Sequence, residues 1–166
     1  MWQTRPMPTA QHGQASIEIA APPAVVYDLI ADVTRMGEWS PECYRCEWLD
    51  GASTATPGAR FRGYNRIGRF RWERSALICI AERGREFTFE TIDDRTQRHE
   101  TRWQYTMEPS GPGTVVTESF QFLWCSLRNR ATEMFLPRGR QVNRSIDETL
   151  RRIKHAAEAG HAADPP

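Results

Sequence analysis

No stretch of this 166-residue chain approaches the ~20 consecutive apolar residues a helix needs to cross a bilayer. The opening "MWQTRPMPTAQHGQ" lacks the apolar core of a secretory signal, so a cytoplasmic setting with reduced thiols is the expectation. Lysine is almost missing: Lys154 stands alone, and arginine carries the remaining basic charge. With a formal net charge of +1, bulk electrostatics give no case for nucleic acid as a partner.

Cysteine is scarce as well. Cys79 and Cys125 are isolated, while Cys43 and Cys46 lie three apart in "DVTRMGEWSPECYRCEWLDG". On or beside a strand, an odd offset sends two side chains to opposite faces, so neither a chelate nor a disulfide forms there without a bend. A structural zinc site needs four ligands, and no second CxxC or paired histidine supplies them. No metal and no cofactor is expected. The common catalytic signatures are also missing: there is no G-x-S-x-G, no H-E-x-x-H and no Ser-His-Asp order. His99-Glu100 has no second histidine at helical spacing, and "GYNRIG" meets Arg69 where a phosphate loop needs lysine.

What is present is a well-patterned single domain. Hydrophobic residues make up 39% and charged residues 26%. A chain this long buries roughly two thirds of its unfolded surface without metal or disulfide help. "ASIEIAA" alternates as a strand, and "PPAVVYDLIADV" carries an apolar helical stripe opened by proline. A second short helix is predicted over Thr34 to Trp39, ended by Ser40-Pro41. Six period-2 segments follow: "YRCEWLD", "ARFRGYNR", "RFRWERSALICIAE", "REFTFETID", "HETRWQYTMEP" and "TVVTESFQFLW". From about Ser126 the period becomes 3.6, with Val142, Ile146, Leu150, Ile153 and Ala157 on one stripe. Pro137 is expected to open this helix and Ala159-Gly160 to close it. Residues 1–14 and 160–166 read as disordered tails around a domain at 15–159.

The order is α+β: a strand, two short helices, about six more antiparallel strands, then one long helix. An antiparallel sheet and a single helix bury their apolar faces best when the sheet curves around the helix. The residues "IEIAAPPAVVYDLIADVTRMGEWSPEC", "WLDG", "PGARFRGYNR", Trp72, "GREFTFE", "WQYTMEP" and "GTVVTESF" resemble the START-like, helix-grip domains of the SRPBCC superfamily, polyketide cyclase/dehydrase type. The resemblance runs from about Ile17 to Lys154. It implies a curved sheet of about seven strands, a long C-terminal helix, and an internal cavity.

Strand parity supplies the candidate lining. Phe61 and Asn65 share a face, as do Trp72 and Arg74, Trp103 and Tyr105, and Glu118 and Phe120; Trp48 and Phe89 join them if each apolar set points inward. From the residues alone these aromatics either fill a solid core or line a hollow; the resemblance implies the hollow. It also sets Trp39 at the cavity mouth and makes the Cys43–Trp48 segment cavity wall. "SLRNRATEMFLP" reads as a short amphipathic gate, with Met134 and Phe135 turned inward at a deformable entrance.

A buried Glu118 must either pair with an arginine such as Arg74 or rise in pKa and stay protonated. Three functions follow. The preferred one is binding of a hydrophobic small molecule (a lipid, an isoprenoid or a polycyclic polyketide-like compound) as carrier or sensor. Burying ~300 Å² of such a ligand contributes about 7 kcal/mol gross. The alternative is a cofactor-independent cyclase or dehydratase, with Glu118 as acid or base and Tyr105 and Asn65 polarising a carbonyl. A further alternative is an interaction protein using the arginine-rich Arg60–Arg71 face, whose charges otherwise pair with Glu47, Glu73 and Glu90 on neighbouring strands.

Overall fold

The computed structural model describes residues 12–123 and 138–163. Seven strands form one antiparallel sheet: β1 (His12–Ile19), β2 (Cys43–Trp48), β3 (Arg60–Ile67), β4 (Phe70–Glu82), β5 (Glu86–Ile92), β6 (His99–Ser110) and β7 (Gly113–Phe122). Their spatial order is β1-β7-β6-β5-β4-β3-β2, so the N-terminal strand closes one edge beside the last strand. Helix α1 (Pro23–Ala31), a 3-10 turn (Val33–Arg35) and the helical turn α2 (Met36–Trp39) carry the chain from edge strand β1 to edge strand β2. The long helix α3 (Arg138–Ala163) crosses the concave face. Among the described residues no helix is long and apolar enough to cross a membrane.

Local chemistry explains these boundaries. Pro22 and Pro23 preset the first turn of α1, and Asp32 accepts a hydrogen bond from the Thr34 backbone N–H at 3.2 Å to start the 3-10 turn. The segment expected as one short helix over Thr34–Trp39 is therefore two pieces. Strand β2 stops at Asp50-Gly51, which adopt φ of 54° and 77°, a left-handed pair that glycine permits. The first strand begins at His12 rather than Ala15, because His12, Gly13 and Gln14 pair with Gln121, Phe120 and Ser119.

The expected helix end at Ala159-Gly160 is corrected: α3 continues to Ala163. Gly160 is exposed and nothing lies within 4 Å of where a side chain would start, so it costs only about 1 kcal/mol of helix propensity and breaks no packing. Along α3, Val142, Ile146, Leu150, Ile153 and Ala157 are all buried in the core, each large aliphatic side chain contributing about 1.5–3 kcal/mol. A polar clamp fixes this helix against the end of β1. Lys154 Nζ donates to the Glu18 carbonyl at 2.6 Å, and Glu158 Oε1 accepts from the Ala20 N–H at 2.8 Å.

The helix does not cover the sheet evenly. Its backbone packs on β1, α1 and α2, touches β7, and stays farther from β3 to β6. The side chains of those middle strands reach into the space between, and they do not fill it.

Candidate functional site

The unfilled space is a cavity of about 110 Å³, partly open to solvent. Its sheet wall is Phe61, Asn65, Arg74, Phe89, Trp103, Tyr105 and Glu118, with Gly63, Ala76 and Thr91 between them. Cys43, Cys46 and Met36 form the wall beside β2, and Val142, Ser145, Ile146 and Thr149 of α3 form the roof.

Glu118 is the polar focus. It stands directly opposite Tyr105 in the β6–β7 register, 3% exposed, and accepts the Tyr105 hydroxyl on Oε1 at 2.8 Å. Its second oxygen, Oε2, is buried and has no hydrogen-bond partner among the described residues. Burial pushes the Glu118 carboxyl from an ordinary 4.5 to about 8, although the Tyr105 hydrogen bond pulls the other way. Burial also raises the Tyr105 phenol, and the neighbouring Glu118 raises it further. At neutral pH the pair is a carboxylic acid and a phenol, both protonated.

Arg74 does not pair with Glu118. Its Nε donates to Glu100 Oε2 at 2.7 Å, which leaves Tyr105 as the partner of the acid among the described residues. Asn65 Nδ2 donates to the Gly63 carbonyl at 3.3 Å, so its amide is anchored on β3.

Of the other aromatics, Trp39 is 2% exposed and buried beneath the Arg35 guanidinium, 5.5 Å from the ring. Trp48 packs edge-on against Phe61 at 6.3 Å, Trp72 stacks on exposed Phe70 at 5.4 Å, and Phe120 sits behind Trp103 at 5.7 Å. None of these four lines the cavity. Met134 and Phe135, with the expected gate, lie outside the described residues.

The expectation that Cys43 and Cys46 diverge is corrected. The β2–β3 register shifts between Cys43 and Arg45, a bulge that turns Tyr44 outward. The extra residue cancels the odd offset, and both thiols enter the cavity wall with their Sγ atoms 3.4 Å apart. Their hydrogen bond divides the pair: it lowers the Cys43 thiol, while Cys46 is raised by that same bond and by burial. Sequence reasoning also missed Ser145 and Thr149. Thr149 lies three residues after Ile146, and extending the apolar stripe by i+3 would have found it.

Of the arginines in the β3–β4 hairpin, Arg74 lines the cavity, while Arg60 and Arg62 alternate with Phe61 and face the convex side. Arg60 pairs with Asp50 at 3.3 Å and Arg62 with Asp94 at 3.5 Å. Their partners are thus loop aspartates rather than the expected strand glutamates. Glu47 instead pairs with Arg45 at 2.5 Å and Glu90 with Arg102 at 2.6 Å.

A curved seven-stranded sheet gripping one long helix over a cavity defines a START-like, helix-grip domain. The chain belongs to the family described as polyketide cyclase/dehydrase and lipid transport, which matches residues 10–158. The polyketide cyclase-like protein Cgl2372 of Corynebacterium glutamicum is 33% identical, with 95% of this chain and 97% of that one covered at a TM-score of 0.64. Protein DR_A0006 of Deinococcus radiodurans shares the fold at 16% identity, covering 90% of this chain and 98% of its own, TM-score 0.65. DynU16, from the dynemicin biosynthetic locus, matches at 14% identity and TM-score 0.62, over 90% of this chain and 48% of that one. No curated protein matches the sequence.

Proposed function

We propose that the protein binds a hydrophobic small molecule bearing one oxygen acceptor, as a carrier or sensor, with that oxygen placed against Glu118. The observation that carries this reading is the partnerless Glu118 Oε2, buried in an otherwise mainly apolar hollow. Leaving such a group unsatisfied costs about 1–3 kcal/mol, so a ligand oxygen that accepts its proton recovers that energy. Tyr105 holds the other oxygen and fixes the direction of donation.

Size narrows the ligand. An apolar cavity of about 150 Å³ accommodates benzene, so about 110 Å³ suits one ring, or the end of a longer lipid, isoprenoid or polyketide-like ligand that leaves through the open side. Burying ~200 Å² of such a ligand contributes about 5 kcal/mol gross, and association costs consume much of it. The polar contact therefore decides which ligand stays.

A second reading rests on the same pair. A carboxylic acid near pKa 8, aligned by a phenol, is a suitable general acid for a cofactor-independent aldol cyclisation or dehydration. Native mass spectrometry of protein purified without added ligand separates the two. Binding alone predicts an unchanged adduct that Glu118→Gln keeps and Glu118→Leu loses. Dehydration predicts that the wild type lightens the bound compound by one water, and aldol cyclisation that it alters the compound's fragmentation at unchanged mass, while Glu118→Gln holds the compound intact in either case. No adduct in wild type, with no uptake from a panel of ring ketones and phenols, overturns both.

A further inference from the structure

The bulge in β2 assembles more than two thiols. Cys43 Sγ lies 3.4 Å from Cys46 Sγ, and Cys46 Sγ lies 3.7 Å from Met36 Sδ. Met36 opens α2, the two cysteines belong to β2, and α2 packs directly on β2. Three sulfurs from two elements thus meet at one end of the cavity. Sulfurs that share one metal ion at ~2.3 Å sit about 3.8–4.0 Å apart, so the two separations that involve Cys46 Sγ need only a few tenths of an ångström of opening.

Gly63, the register partner of Cys46, lines the cavity beside them. A Cβ at that position would come within 3.4 Å of Cys43 Sγ and 3.6 Å of Cys46 Sγ. Both thiols are 6% exposed, so a bound ion would be shielded from bulk water.

The donor set selects the ion. Two thiolates and a thioether are soft ligands with no oxygen or imidazole among them. Among the described residues no group of three histidine, cysteine or acidic side chains could hold a metal, so the usual zinc set is incomplete. Monovalent copper is satisfied by three sulfurs and needs no further ligand. We propose that Met36, Cys43 and Cys46 form a three-sulfur binding site for monovalent copper in the wall of the ligand cavity. Binding deprotonates both thiols and releases their protons.

The test is an anaerobic titration of the reduced full-length protein with monovalent copper buffered by bathocuproine disulfonate. One copper per chain is expected, with a thiolate-to-copper absorption band in the ultraviolet. Cys43→Ser and Cys46→Ser should each weaken competition at least 100-fold, and Met36→Leu about tenfold, with thermal melts confirming that each variant is folded. X-ray absorption on the wild-type complex needs no variant, and should count three sulfur neighbours. A count of two sulfurs, an affinity indifferent to Met36→Leu, zinc bound in preference to copper, or no uptake would each overturn the site. Loss of Glu118 leaves this test unchanged, so its outcome is independent of the ligand reading.

Discussion

Tyr105 and Glu118 face each other across the β6–β7 ladder, and the phenol donates to the carboxyl at 2.8 Å inside the cavity. Direct cross-strand partners lie about 4.5–5.5 Å apart at Cβ, so the hydrogen bond follows from register. The sheet itself holds the acid with one oxygen satisfied and the other aimed at the hollow.

That acid should make stability fall with rising pH. Glu118 in the unfolded chain titrates near 4.5, and in the folded protein near 8. Below pH 4.5 both states hold the proton and nothing is lost. From 4.5 to 8 only the unfolded state releases it, so folding weakens by up to about 5 kcal/mol and then levels off. Glu118→Gln should remove this slope. Urea unfolding of both proteins at pH 5, 7 and 9 measures it, with the variant gaining relative stability towards pH 9. Parallel curves would count against a buried neutral acid.

Removing the phenol should push the acid higher still. The Tyr105 hydrogen bond lowers the Glu118 pKa, so Tyr105→Phe takes away the contact that favours the carboxylate among the described residues. A carboxyl ¹³C titration should place Glu118 above about 8 in the variant. A downward move would mean that another group controls the site.

Ala76 tests whether the hollow is real. It is 2% exposed and lies on the cavity wall opposite Phe61 in the β3–β4 register. In a solid core, Ala76→Leu would overpack and cost about 1–3 kcal/mol. Into a cavity it should fit, changing stability by less than about 1 kcal/mol while abolishing ligand uptake. Denaturant midpoints and ligand titration together give the answer.

Gly37 should be intolerant of any side chain. A Cβ there would meet the Tyr44 carbonyl oxygen at 2.4 Å and its carbon at 2.8 Å, both backbone atoms. Gly37→Ala must push α2 away from β2, at a cost of about 2–3 kcal/mol in urea unfolding.

Strand parity sufficed for most of the cavity wall because the β3–β4 and β6–β7 ladders run past it without a register shift. Alternation alone set Phe61 with Asn65, Trp103 with Tyr105, and Glu118 on the concave face. It failed where the backbone departs from period 2. The bulge at Tyr44 reverses Cys43, and nothing in "PECYRCEW" announces it. Parity also cannot give depth. Trp72 faces the right way but sits near the hairpin end, where it stacks on Phe70, and Phe120 is screened by Trp103. The choice of Glu100 by Arg74 was illegible for a similar reason: it depends on which residues of β6 reach β4 across β5, and no local pattern encodes that.

The most direct measurement of the central claim compares toluene with p-cresol, near-equal in shape but differing by one hydroxyl. Both are titrated into the protein at pH 7 and followed by chemical shifts at Trp103, Tyr105 and Glu118. Both should enter the cavity, and p-cresol should bind about tenfold tighter through a hydrogen bond with Glu118, worth about 1–1.5 kcal/mol. Equal affinities, or shifts that bypass these three residues, would contradict the account.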